Sequence, residues 1–290
     1  MLIKKTFNFI NNIEEYTSCD IFFSNNNKNK KSPFVLFLHG FRAFKEWGFF
    51  PYFAERLAEV NFITGCLGFS LNTITNKNTQ WFDMDRFRRN TVTQMITEVE
   101  LFINQLNENF LFDSQIETFW NNEIYIIGHS LGGALAIVLT SKLNNANSNK
   151  IIKKLVSICS IYDFDVYTEK QKQHWFKTKT KEFIDKTTGQ NIILNLEFLT
   201  DRLTYTDKKS VLSMVSRLTI PYYILHTAAD ATVSPKAANI LASAVSSPTL
   251  FIKEIIPKGN HLLNSTHPFE NSNPVLECVI RKVINFFIMK

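Results

Sequence analysis

Ile124-Tyr125-Ile126-Ile127-Gly128-His129-Ser130-Leu131-Gly132-Gly133-Ala134 is the stretch on which the reading of this chain turns. Four apolar residues running into a glycine read as a short buried strand, Ile124 to Ile127, and the small-residue run from Leu131 to Leu143 reads as a helix packed behind it. A serine held on a sharp turn from strand to helix crowds its own backbone, so glycine is needed two residues before it and two after. Gly128 and Gly132 stand at those positions. The same turn sets the backbone N–H of Leu131 at a helix start, where helix polarity favours the negative charge that develops on an attacked carbonyl oxygen. Ser130 is therefore the expected nucleophile.

Working outward, apolar strand-like runs alternate with segments of helical period. Phe34 to Leu38 is the first clear strand, Ala54, Leu57 and Ala58 recur at helical spacing after Pro51, and Asn61 to Leu67 reads as the next strand. Val92, Met95, Ile96, Val99, Phe102, Ile103 and Leu106 form one apolar stripe of a long helix between Thr91 and Leu106. Strands follow at Ile152 to Cys159, Pro221 to His226 and Leu250 to Ile256. Ser234-Pro235 reads as a cap followed by proline at the first helical position, and Asn273-Pro274 opens a last helix. Strands alternating with helices imply an α/β fold, a mostly parallel central sheet with helices on both faces. Residues 163 to 218 break this rhythm.

The 290 residues are 45% hydrophobic and 20% charged, enough to bury a sizeable core, which excludes a disordered or fibrous chain and fits one domain over 1–290. The charge of +6, from 32 Lys+Arg against 26 Asp+Glu, is spread thinly, and no segment interleaves arginine with aromatics, so nucleic acid is not an expected partner. Cys19, Cys66, Cys159 and Cys278 lie far apart, against a disulfide framework or a zinc site. No run of about 18 apolar residues exists, so stable membrane insertion is not expected. The opening apolar run, Thr6 to Ile10, is too short for a secretory signal, and a cytoplasmic protein is the expectation. The polar run Asn25 to Lys31 reads as a solvated turn.

The apolar strand ending in Leu38-His39-Gly40-Phe41, the elbow at Ser130, and an acid and a histidine following in the order Ser, Asp, His resemble the α/β-hydrolase superfamily over most of the chain. The segment His39-Gly40-Phe41-Arg42-Ala43-Phe44-Lys45-Glu46-Trp47-Gly48 is similar to bacterial esterase-like members grouped with dienelactone hydrolases, cinnamoyl esterases and serine aminopeptidase-like hydrolases. The resemblance implies that Phe41, the residue after His-Gly, supplies the second oxyanion N–H beside Leu131. It implies a carboxylate after the penultimate strand, Asp230, with Asp163 and Asp165 as rivals after the preceding strand. Thr227-Ala228 stands where a glycine is usual. It also implies that 163–218 is a cap inserted above the nucleophile.

For the base, His261 falls just beyond the last strand, on the edge where loops at strand C-termini assemble a site, and is preferred to His267 six residues later. His39 and His129 are expected to support their turns, His174 to lie on the surface, and His226 to be a plain strand-end residue. The expectation is a serine hydrolase without cofactor or metal, a carboxylesterase cleaving small to medium neutral acyl or aryl esters through an acyl-enzyme. Arg42, the only arginine beside the expected oxyanion hole, is too little cation for an anionic substrate, and Phe41 to Phe50 with Trp175 and Phe176 would make the cleft apolar. A serine aminopeptidase-like peptidase or amidase, and a non-catalytic ligand-binding protein on the same fold, are the alternatives.

Overall fold

A computed structural model describes residues 1–25, 31–76, 81–107, 114–146, 152–185, 188–247 and 251–289. Most of the polar run at Asn25 to Lys31 and Leu250, the first residue of the expected final strand, lie outside the described residues.

The chain opens with a hairpin that the sequence reading passed over, β1 (Leu2–Ile10) paired antiparallel with β2 (Tyr16–Ser24). There follow β3 (Ser32–Leu38), α1 (Phe50–Glu59) and β4 (Ile63–Gly68). A short ribbon of β5 (Ile74–Asn76) and β6 (Trp81–Phe82) leads to α2 (Met84–Phe87) and the long α3 (Val92–Asn107). After α4 (Ser114–Phe119), the decisive stretch forms β7 (Trp120–His129) and α5 (Leu131–Ala146). β7 runs beyond the expected Ile124–Ile127 at both ends because it has a parallel neighbour on each side: Leu38 of β3 pairs with Gly128, and His129 pairs with Ile158 of β8 (Ile152–Ile158).

Between β8 and its other neighbour lies the irregular segment. It holds α6 (Glu169–Thr178), a hairpin of β9 (Thr180–Ile184) and β10 (Asn191–Asn195), α7 (Leu196–Arg202) and α8 (Val211–Val215). The chain then closes with β11 (Tyr222–Thr227), α9 (Lys236–Ser243), β12 (Phe251–Ile256) and α10 (Pro274–Ile288). The start of α9 differs by one residue from expectation: Pro235 takes the N-cap place with helical backbone angles, and Ser234 Oγ accepts from the Lys236 N–H at 3.4 Å. Asn273 does cap α10, its Oδ1 accepting from the N–H groups of Val275 and Leu276.

The main sheet has the order β1-β2-β4-β3-β7-β8-β11-β12, antiparallel at β1, β2 and β4 and parallel from β4 onward. Side chains alternate across it. On one face Leu36, Leu38, Ile124 and Ile126 pack with Val99, Phe102 and Ile103 of α3 and Leu135 and Leu139 of α5. On the other Val35, Phe37, Tyr125 and Ile127 pack with Phe50, Phe53 and Leu57 of α1 and Val279, Ile280 and Val283 of α10. Each fully buried Leu, Ile or Phe here contributes about 1.5–3 kcal/mol, so strands buried on both faces read as unbroken apolar runs. A third cluster ties Trp175, Ile192, Leu194, Phe198 and Leu199 of the β8–β11 segment to Phe44, Phe82 and Phe87. This segment therefore sits over the loops that leave the C-terminal ends of β3 and β4, the edge at which open α/β sheets bind ligands.

Candidate active site

Five strand ends converge on one cavity of about 330 Å³. Ser130 follows β7 with φ of 57°, a left-handed conformation costing about 1–2 kcal/mol for a residue with a Cβ, and its N–H donates to Ile158 O at 2.9 Å. The glycines around it are dictated by contact. A Cβ on Gly128 would stand 2.1 Å from Gly132 O, and one on Gly132 would stand 2.3 Å from Leu38 O. Gly40 allows the loop after β3 to lie against the serine, since its own Cβ would meet Ser130 Cβ at 3.0 Å.

His261 and Asp230 come together from the ends of β12 and β11. His261 Nδ1 lies 2.7 Å from Asp230 Oδ2, and Asp230 Oδ1 accepts from the N–H groups of Thr232 and Val233 at 2.8 Å each. Burial pushes the Asp230 carboxyl up, but the hydrogen bonds from His226 and His261, the His261 charge and the Val233 N–H outweigh it and hold the group well below the ordinary aspartate value. Ser130 and His261 both line the cavity, and no hydrogen bond joins Ser130 Oγ to the imidazole in this structure. Phe41 and Leu131 line it too, and among the described residues neither backbone N–H has a partner.

The rival residues take no part in the Asp230–His261 pair, although His267 lines the same cavity. Asp163 Oδ1 caps the N–H of Asp165, and Asp165 Oδ2 pairs with Lys172 at 2.7 Å. His267 stacks on Trp47 with ring centroids 5.2 Å apart, and its Nδ1 accepts from Gly48 N–H at 2.8 Å, away from Asp230. His129 and His39 support the turns. His129 Nε2 lies 2.8 Å from His261 O, which fixes the loop bearing the candidate base, and burial followed by repulsion from His261 brings its pKa down to about 3. His39 Nδ1 lies 2.9 Å from Gly40 O, and burial brings its pKa down to about 4.

His226 does more than end a strand. Fully buried, its Nε2 donates to Val233 O at 2.9 Å and lies 3.2 Å from Asp230 Oδ2, so the carboxylate is gripped by two imidazoles. Its place four residues before Asp230 was the available signal. Of the aromatics expected in the cleft, Phe41, Phe44, Trp47 and Phe50 line the cavity, whereas Trp175 is buried against Phe198 and Phe176 is exposed. Arg42 lines the cavity and pairs with Asp185 at 3.2 Å. A second arginine, Arg202 of α7, lines it as well.

Two groups of buried donors, His129 with Cys159 and His261, and Cys159 with His226 and Asp230, are close enough to hold a metal ion. They are engaged with one another instead: Asp230 takes the two imidazoles, Cys159 Sγ lies 3.4 Å from Thr227 Oγ1, and burial pushes the Cys159 thiol up to about 12. A cation would have to displace the Asp230–His261 bond and ionise a resistant thiol.

The parallel sheet, the serine elbow and the acid and histidine at the following strand ends define an α/β-hydrolase. The chain belongs to the phospholipase/carboxylesterase family, whose model it matches over residues 20–187. It is therefore a hydrolase of an esterase family. Solved structures with the same fold include Est1E from Butyrivibrio proteoclasticus with ferulic acid bound, with TM-score 0.70 and 18% identity over 96% of this chain and 97% of that one. The esterase domain of a Rhodothermus marinus protein has TM-score 0.60 and 15% identity over 98% and 99%. Alpha/beta hydrolase domain-containing protein 10 from mouse has TM-score 0.68 and 12% identity over 97% of each chain. No curated protein matches the chain by sequence. No helix among the described residues is long and apolar enough to cross a membrane.

Proposed function

We propose that the protein is a serine carboxylesterase that cleaves small to medium acyl or aryl esters through an acyl-enzyme. The observation that carries this reading is the 2.7 Å contact of His261 Nδ1 with Asp230 Oδ2 beside a cavity that Ser130 also lines. An Nδ1–H held by a carboxylate leaves Nε2 bare to take the serine proton. Ser130 Oγ then attacks the ester carbonyl, and the N–H groups of Phe41 and Leu131 receive the oxyanion. His261 returns the proton to the departing alcohol, and water activated by the same imidazole releases the acid. In this reading residues 163–218 are the cap of a single hydrolase domain, and no cofactor or metal takes part.

The cavity volume is at the low end of the roughly 300–1,000 Å³ of small-molecule sites, which supports a small substrate. A peptidase that grips a free amine needs a carboxylate, and Asp185, the one carboxylate among the described lining residues, already faces Arg42. The expectation of a neutral substrate rested on an apolar aromatic cleft and on Arg42 as its one cation; Arg202 in the same cavity removes the second premise.

The test is kcat/KM on p-nitrophenyl acyl esters against aminoacyl anilides, with Ser130→Ala as control. Fast ester turnover that disappears in the variant supports the proposal. Faster turnover of the anilides, or wild-type rates in Ser130→Ala, overturns it.

A further inference from the structure

Arg202 is a buried charged side chain that meets no carboxylate among the described residues. Its residue is 4% exposed and lines the cavity that holds Ser130 and His261. The guanidinium lies between two rings, 4.9 Å from the Phe198 centroid and 5.7 Å from that of Tyr167. Nε donates to Phe164 O at 2.9 Å. Among the described residues no carboxylate lies within 4.0 Å of it. The acidic groups that act on it from farther away are committed elsewhere, Asp165 to Lys172 and Asp201 to Thr93 N–H at 3.0 Å. The nearby Lys181 adds positive charge, its Nζ 4.1 Å from the Tyr167 ring.

An arginine keeps its charge in such a place, and burying an unpaired charge costs several kcal/mol. Of five N–H donors, only that on Nε is used among the described residues, which leaves a fork to receive a planar anion. The cavity wall also sets the charge of that anion. Arg42 faces Asp185, so among the described lining residues Arg202 is the cation that no carboxylate faces, a match for a carboxylate on the substrate.

Building on the esterase reading above, we propose that Arg202 anchors a carboxylate on the substrate, so that the preferred esters are monoanionic, with the carboxylate a few bonds from the scissile carbonyl. Tyr167 and Phe198 hold the guanidinium plane, and the aromatic wall of Phe41, Phe44 and Trp47 receives the uncharged part of the ester. The cap then selects substrate by charge while the strand ends do the chemistry.

The experiment compares 4-nitrophenyl hydrogen glutarate with 4-nitrophenyl 5-methylhexanoate, in which an isopropyl group replaces the carboxylate. Wild-type protein is expected to favour the half-ester by tenfold or more in kcat/KM. Arg202→Gln should lower that ratio at least tenfold, mainly through KM, and Arg202→Lys should restore part of it. A ratio that Arg202→Gln leaves unchanged overturns the proposal.

Because Arg202 is buried and its variants could unfold, a second arm uses the wild type alone and compares glutarate with glutaramide in thermal-shift titrations. Glutarate should bind at least tenfold more tightly, with the gap shrinking as salt rises; equal binding overturns the proposal. If neither ester is cleaved, or cleavage survives in Ser130→Ala, the esterase reading fails, and the binding arm still decides the role of Arg202.

Discussion

Asp230→Asn perturbs the site with almost no change of shape, and the hydrogen bonds around the carboxylate set the size of its effect. Oδ1 accepts two backbone N–H groups at 2.8 Å, which only an oxygen can do, so an asparagine must keep its oxygen there and turn its NH2 toward His261 and His226. His261 Nδ1 would then have to accept a bond, which moves its proton to Nε2, the atom that should receive the Ser130 proton. His226 cannot relieve the conflict by turning its Nε2 into an acceptor, because Val233 O at 2.9 Å needs a donor from that atom. Wrong-tautomer loss of this kind costs about 10⁴-fold in turnover in a serine triad, and at 1.36 kcal/mol per decade that is about 5 kcal/mol of barrier. The assay is kcat on a p-nitrophenyl ester, with near-UV circular dichroism to show retained packing. Asp163→Asn, which keeps an oxygen to accept the Asp165 N–H and loses only a charge away from the Asp230–His261 pair, should stay within about twofold of wild type. Turnover of Asp230→Asn within tenfold of wild type, or the reverse ranking of the two variants, would refute the reasoning.

Gly132→Ala drives a Cβ to 2.3 Å from Leu38 O and 2.6 Å from His39 O, backbone atoms that cannot step aside, so urea denaturation should show a loss of about 3 kcal/mol or more. Gly189→Ala meets no atom within 4 Å and should cost only about 1–2 kcal/mol through its φ of +72°. Stability should also fall in acid. His39 and His129 stay neutral in the folded chain down to about pH 4 and pH 3, whereas the unfolded chain takes up those protons below about 6.5. Their contribution is complete above that value and is lost as pH falls through the window, about 3 and 5 kcal/mol respectively at 1.36 kcal/mol per unit. Asp230, depressed in the folded state, adds a loss below the ordinary aspartate range, while buried Glu98, raised by burial, acts in the opposite sense. Urea unfolding between pH 7 and pH 4 that showed constant stability would contradict this.

Legibility in the sequence follows how local each cause is. Gly128, Ser130 and Gly132 were readable because the elbow is made by contacts within a few residues and with one neighbouring strand, and only glycine satisfies them. His261 was picked out by its place just beyond the last strand, because a parallel sheet delivers strand ends to one edge, and Asp230 by the resemblance to the superfamily; the structure brings the two within 2.7 Å. The first hairpin was missed because β1 buries only alternate residues, Ile3, Phe7 and Phe9 among them, with exposed Leu2 and Ile10 blurring the pattern; alternation announces a half-exposed strand less plainly than an unbroken apolar run. His226 looked ordinary because its partnership with Asp230 exists only once the turn after Thr227 folds back. Arg202 was illegible for a stronger reason. Its burial is assembled by Phe164, Tyr167 and Phe198 within a segment that has no strand-helix rhythm, and its place in the cavity that Ser130 lines depends on how that segment packs over the sheet edge.

The claim on which the rest depends is that Ser130 is the nucleophile activated by His261 and Asp230, and covalent labelling tests it most directly. Purified protein treated with a fluorophosphonate and digested for mass spectrometry should carry one adduct, on the peptide containing Ser130. The adduct should be absent in Ser130→Ala, and its rate of formation should fall by orders of magnitude in Asp230→Asn, in step with ester turnover. An adduct on a different residue, or an unlabelled protein that hydrolyses esters at full rate, would contradict the assignment.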